Sequence, residues 1–279
     1  MVLGISSFAY GWSVGVPGQM PECPLSPTDL VNRTVDFGLS CLQIGDNLPV
    51  GLLNEESRKE LRDLLTRNNI RFEVGARKLT AEHLEQYIDL ASYFNAPLLR
   101  FVVDGDDYEP DSSEIVRIIM EALPTLVKHK IVLGIENHDR FKASELAEIM
   151  EAFDHPNVGI CLDCVNSLGA GEGLEHVIKI LAPYTVNLHI KDFNIYRLSH
   201  QMGFNVTGTP AGQGMTNVPR LIEHLSKYER CKSAVLEQWV TPASSIGETV
   251  NKEERWAIES IQYLKGLPYF ENSTLKIIR

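Results

Sequence analysis

Four side chains able to ligate a metal stand at the ends of four apolar runs. Ile131-Val132-Leu133-Gly134-Ile135 leads into Glu136-Asn137-His138, and Val158-Gly159-Ile160-Cys161-Leu162 into Asp163. Val186-Asn187-Leu188 leads into His189, and Ala234-Val235-Leu236 into Glu237. Three carboxylates drawn together repel one another. Burying them unpaired costs several kcal/mol, so a cation is the natural compensation. Carboxylate oxygens with one imidazole suit Mn²⁺, Co²⁺ or Mg²⁺ better than a structural zinc site, although Zn²⁺ accepts the same donors. Any one of the four alone reads as an ordinary polar strand end. Four in succession, one per run, is the pattern that makes a site.

Short apolar runs with polar residues only at their ends read as strands buried on both faces, the habit of parallel sheets. Others are Val2–Ser6, Leu39–Ile44, Ile70–Val74 and Leu98–Val103. Helical stretches alternate with them. Ser26-Pro27 opens one that Gly38 ends, Thr80 caps another, and amphipathic or apolar-periodic runs cover 54–67, 112–128, 143–153 and 252–265. Pro124 marks a kink or break in the fourth helix. Eight strands alternating with eight helices predict an α/β fold closed into a (β/α)₈ TIM barrel, one domain over 1–279. The strand ends of a closed barrel ring one face. Glu136, Asp163, His189 and Glu237 would meet there although 27, 26 and 48 positions separate them. An open doubly wound sheet is the other option, but no G-x-G-x-x-G follows the first strand.

Loops complete the reading. Phe8, Tyr10 and Trp12 follow the first strand and could wall a small ligand or simply cover the barrel mouth. The long segment Phe193–Met215 is expected as a loop over that mouth. Asp104-Gly105-Asp106-Asp107 lacks the trailing glutamate of a Ca²⁺ loop and reads as a solvated turn.

Composition narrows the function classes. The chain has 279 residues, 44% of them hydrophobic, and a formal net charge of -11. Such acidity disfavours non-specific nucleic-acid binding. No apolar run approaches the ~20 residues of a membrane span, and no signal peptide is visible. Five cysteines, an odd number, fit reduced thiols in a cytoplasm. Cys161 and Cys164 form a C-x-x-C, but with no second pair and with Cys161 inside a strand they read as core packing.

The motifs Glu136-Asn137-His138, Leu162-Asp163-Cys164-Val165-Asn166, His189-Ile190-Lys191-Asp192, Gly212-Gln213-Gly214 and Leu236-Glu237-Gln238-Trp239 occur in one order through the C-terminal half. In this the chain resembles the xylose isomerase-like barrels grouped as sugar phosphate isomerases/epimerases, which include ketose 3-epimerases and hydroxypyruvate isomerases. The resemblance implies that Glu136, Asp163, His189 and Glu237 hold one divalent ion, with Glu136 and Glu237 as catalytic acid and base on opposite sides of a ketose or sugar acid. The ion would acidify a C–H beside a carbonyl and offset the charge of an enediolate. Substrate contacts are expected from His138, Asn166, Lys191, Trp12, Arg77 and Trp239. The partner is a small sugar or sugar acid, not nucleic acid or membrane; a homo-oligomer is compatible with the chain.

Two positions depart from the 3-epimerase pattern. Lys142 stands where those enzymes have a further glutamate, and Asn166 where they often have histidine. Ile44-Gly45-Asp46-Asn47-Leu48-Pro49 and Glu73-Val74-Gly75-Ala76-Arg77 resemble instead the 3-oxo-isoapionate decarboxylases. A metal-dependent decarboxylase of a β-keto sugar acid is therefore the alternative to an isomerase or epimerase. Lys142, Lys191 or Arg77 would hold the carboxylate. A non-catalytic sugar-binding barrel is a further alternative. An abasic-DNA endonuclease resembling endonuclease IV would need more histidines than the non-helical ones left here.

Overall fold

Each apolar run forms a strand, and the strands close on one another. The structure is a computed structural model that describes residues 1–270; most of the tail expected after the last helix lies outside them. Numbered in chain order, the barrel strands are β1 (Val2–Ser6), β2 (Cys41–Ile44), β3 (Arg71–Arg77), β4 (Leu98–Val102), β5 (Val132–Glu136), β6 (Val158–Asp163) and β7 (Thr185–Ile190). Two further strands, β8 (Asp192–Arg197) and β9 (Phe204–Thr209), stand outside the barrel, and β10 (Ser233–Leu236) closes it between β7 and β1. All eight barrel pairings are parallel.

The intervening helices are α1 (Gly11–Val14), α2 (Pro27–Asp36), α3 (Glu55–Arg67), α4 (Ala81–Tyr93), α5 (Ser112–His129), α6 (Ala143–Glu151), α7 (Leu174–Leu181), α8 (Val218–Ser226) and α9 (Ile246–Lys265). Their starts follow capping chemistry. Ser26 and Asp29 exchange hydrogen bonds in a capping box, and Thr80 accepts from the His83 amide. Leu30, Leu61, Ile88, Ile119 and Leu146 are among the side chains these helices bury against the sheet.

Three local expectations change. The long segment before α8 is not a loop: β8 and β9 pair as an antiparallel hairpin, Asp192 opposite Thr209 through Arg197 opposite Phe204. Its turn-forming and polar residues masked the two-residue period. Pro124 lies inside α5 without ending it. The carbonyl that loses its partner is that of Met120, a 47% exposed residue, so water can replace the missing donor. Helix α9 begins at Ile246, before the apolar period becomes visible, because Ser245 caps it by accepting from the Glu248 amide.

At the N-terminal end of the barrel, a buried acid is fully partnered. Glu73 accepts from Arg71 Nε at 2.8 Å, Ser233 Oγ at 2.5 Å, and the amides of Gln43 and Asn187, both at 3.2 Å. This network plugs the barrel floor and leaves chemistry to the other end.

Candidate metal centre

At the C-terminal end, strand register does the positioning. Between β6 and β7 the pairing shifts: Ile160 faces Thr185, but Cys161 faces Asn187. The bulge inserts one residue on β7, so Asp163 lies beside His189 rather than Leu188. A one-residue slip reverses which face a side chain points to. The bulge is therefore what lets the acid and the imidazole share the barrel interior. Glu136 ends β5, and Glu237 follows β10 with its amide donating to Ile190 O at 3.0 Å.

The side chains converge. Ligand atoms of Glu136, Asp163 and His189 all lie within 4.8 Å of one another. His189 Nδ1 is 3.4 Å from Glu136 Oε2, 3.4 Å from Glu237 Oε1 and 3.8 Å from Asp163 Oδ2. Glu237 thus joins the group through His189. All four residues are buried.

Neighbours fix the acids in place. Ser6 Oγ donates to Glu237 Oε1 at 2.8 Å, and Asn166 Nδ2 to Glu136 Oε1 at 2.8 Å. The amides of Val165 and Asn166 donate to Asp163 Oδ1. Lys191 Nζ lies 2.8 Å from Asp163 Oδ2 and 3.0 Å from Glu237 Oε2. Arg100, from the middle of β4, donates through Nε to Glu136 Oε2 and through Nη1 to Asp46 Oδ1 at 2.6 Å.

The donor set fits a divalent ion. Both ring nitrogens of His189 are buried without a hydrogen-bond partner, whereas Glu73 at the opposite end is fully satisfied. Buried polar atoms without a partner call for an explanation, and an imidazole among three carboxylates is a cation's donor set. Burial alone would push the Glu136 carboxyl up, but Arg100 and His189 hold it well below the usual carboxylate range. Glu237 is likewise held low against burial, by His189 and Lys191. Both acids are therefore kept as anions.

The remaining expected contacts divide. Asn166 and Lys191 are in the site. Arg77 stands at its rim, Nε 3.6 Å from Asp46 Oδ2. The Trp239 ring lies over Lys191 Nζ at 5.6 Å. A Cβ at Gly208 would fall 2.1 Å from Trp239 O, so only glycine lets the hairpin base approach Trp239 so closely. Trp12 Nε1 donates to Val240 O at 2.7 Å. His138 Nδ1 lies 3.1 Å from Asp139 Oδ2. The Gly212-Gln213-Gly214 segment has a structural anchor: Asp192 accepts from the amides of Gly212, Gly214 and Thr216, each at 2.9 Å.

Two site residues were missed at the sequence level. Arg100 carries a visible signal, a charge inside the buried strand Leu98-Leu99-Arg100-Phe101-Val102, which demands a buried partner. Asp46 was read only as part of a motif, and its link to Arg100 needs the fold.

Cys161 and Cys164 are buried free thiols, as expected of core residues. Among the described residues, no helix is long and apolar enough to cross a membrane.

A closed parallel eight-stranded barrel, here with a Glu/Asp/His cluster that could hold a metal at its C-terminal mouth, defines the (β/α)₈ class. The model of the family "xylose isomerase-like TIM barrel" matches residues 32–267, and the chain belongs to that family. A 3-oxo-isoapionate decarboxylase of Pectobacterium atrosepticum is 29% identical over 278 residues, covering 100% of both chains. Among solved structures, a xylose isomerase-like TIM barrel protein of Mycobacterium smegmatis in complex with magnesium superposes with a TM-score of 0.68 at 14% identity, over 94% of this chain and 97% of that one. A D-psicose 3-epimerase determined in the presence of D-fructose gives 0.69 at 13% identity, over 95% and 97%.

Proposed function

We propose that the protein is a divalent-metal-dependent decarboxylase of a β-keto sugar acid. The observation that carries this is the double engagement of Glu136. One of its oxygens accepts from Arg100 and the other from Asn166. Both oxygens are thus already engaged by donors, one of them a cation, which lowers the basicity of Glu136 toward a substrate C–H bond. Decarboxylation removes no C–H proton, so it does not need that base.

Charge supports the same reading. Arg100, Lys191 and Arg77 set three cations against the four carboxylates of Glu136, Asp163, Glu237 and Asp46. A divalent ion added to this group leaves one net positive charge, which suits a monoanionic substrate better than a neutral ketose. Glu136, Asp163, His189 and Glu237 are the residues that would hold the ion, Mn²⁺ or Mg²⁺ by donor type. When bound, it would act as a Lewis acid, drawing electron density toward the substrate's carbonyl oxygen.

Arg77 and Lys191 would orient the carboxylate. The bond between carboxyl and α-carbon breaks, its electron pair moves toward the β-carbonyl oxygen as an enolate, and CO₂ leaves. The α-carbon then takes a proton from solvent admitted at the mouth. Arg100 keeps Glu136 from competing for that proton. The full-length match to a decarboxylase is consistent with this assignment.

Isomerisation or epimerisation is the second reading, favoured by Glu136 and Glu237 both standing 3.4 Å from the same imidazole nitrogen. Incubation with a 3-oxo sugar acid and Mn²⁺ separates the two. The proposal expects CO₂ release with one ketose formed per CO₂. Ketose interconversion in D₂O with carbon-bound deuterium, and no CO₂ from the acid, would overturn it.

A further inference from the structure

Two buried cations serve this site, and they are held differently. Arg100 is locked: its fork engages Glu136, Asp46 and the carbonyl of Ala76. Lys191 bridges the acids through one ammonium, 2.8 Å from Asp163 Oδ2 and 3.0 Å from Glu237 Oε2, with Asn166 Oδ1 at 3.4 Å. Its backbone is fixed, since Thr216 Oγ1 donates to Lys191 O at 3.0 Å and the next residue, Asp192, is anchored by surrounding amides. Between that root and the ammonium runs a four-carbon stem with several rotatable bonds. Above the ammonium lies the Trp239 ring, itself 40% exposed at the mouth. An aromatic face that attracts cations thus lies beside the ammonium on the side away from full burial.

The two carboxylates that Lys191 bridges are also two of the four proposed metal ligands. An ammonium and a divalent ion drawn to the same acid pair repel each other at short range in a buried site. We propose that Lys191 is an internal stand-in cation: it holds Asp163 and Glu237 together before metal uptake, then leaves them to bind the substrate's carboxylate once a divalent ion has taken their oxygens. This rests on the reading of Glu136, Asp163, His189 and Glu237 as ligands. It deepens that reading by making anion binding conditional on metal loading.

The test is calorimetric titration of Mn²⁺ into the parent protein and into K191M and K191Q, followed by D-gluconate titration of metal-free and Mn²⁺-loaded forms. Using both variants guards against one failing to fold, because K191Q keeps a polar head among the acids. The parent should take up one Mn²⁺ and bind gluconate only when loaded. The variants should bind Mn²⁺ at least ten-fold more tightly and, once loaded, bind gluconate at least ten-fold more weakly than the parent. Mn²⁺ affinity equal to or below the parent's, or gluconate affinity unchanged, would overturn the inference while leaving the metal site standing. A parent that takes up no Mn²⁺ would overturn the site and the inference together.

Discussion

Replacing Arg100 with methionine tests the electrostatic core of the site. Methionine keeps much of the volume and removes the charge. Arg100 is 4% exposed, and its guanidinium neutralises Glu136, itself 2% exposed. Removing one partner of a buried ion pair typically costs about 3–5 kcal/mol, because the other charge is left uncompensated. The second partner, Asp46, adds little to this: its side chain is 23% exposed, so solvent screens it. In a domain of this size each kcal/mol moves Tm by about 2–4 °C, so R100M should melt on the order of 10 °C below the parent. Thermal melts in EDTA, followed by circular dichroism, measure this. The double variant R100M/E136Q removes the stranded charge and should recover at least half of the loss. Saturating Mn²⁺ should also narrow the gap between R100M and the parent. A single variant melting within about 2 °C of the parent in EDTA would refute the reasoning, since Glu136 would then not depend on Arg100.

Other parts of the structure give further expectations. Burial pushes the thiols of Cys41, Cys161 and Cys164 up, and that of Cys231 to about 12, whereas Cys23 is exposed; a native thiol titration should show one fast-reacting group, lost in C23S, and fast labelling of Cys161 or Cys164 would contradict their core role. Burial raises the Glu253 carboxyl above its ordinary 4.5, although it accepts from Ser13 and Trp12. The folded state then binds more protons than the unfolded one above pH 4.5, so this group's contribution to stability falls as pH rises through that window. E253Q should flatten the corresponding slope in Tm against pH, and an unchanged slope would count against it. G208A must push the hairpin base off Trp239, costing about 1–3 kcal/mol and shifting tryptophan emission; a silent substitution would show that the close contact is not maintained in solution.

The barrel was legible because its strands are buried on both faces and therefore mostly apolar, and because helix caps such as Ser26 and Thr80 announce themselves locally. The metal-type cluster was legible for the same reason: Glu136, Asp163, His189 and Glu237 interrupt apolar runs at equivalent points. What sequence reading could not supply is pairing between distant residues. Arg100 is visible as an anomaly, but its partners, 36 and 54 positions away, are set by barrel closure. The β7 bulge that aligns His189 with Asp163 leaves no signature in Thr185-Val186-Asn187. Rim residues were harder still. Trp12 and His138 have suitable chemistry, but their neighbours here, the Val240 carbonyl and Asp139, are set by loop geometry that the sequence does not display.

Anomalous diffraction from crystals of the parent protein grown with Mn²⁺ tests most directly whether the strand ends share one ion. A single strong manganese peak should lie among the carboxylate oxygens of Glu136, Asp163 and Glu237 and a ring nitrogen of His189, and should vanish in H189A. Manganese found only elsewhere, for instance on the acidic turn at Asp104–Asp107, or none at all, would contradict the account.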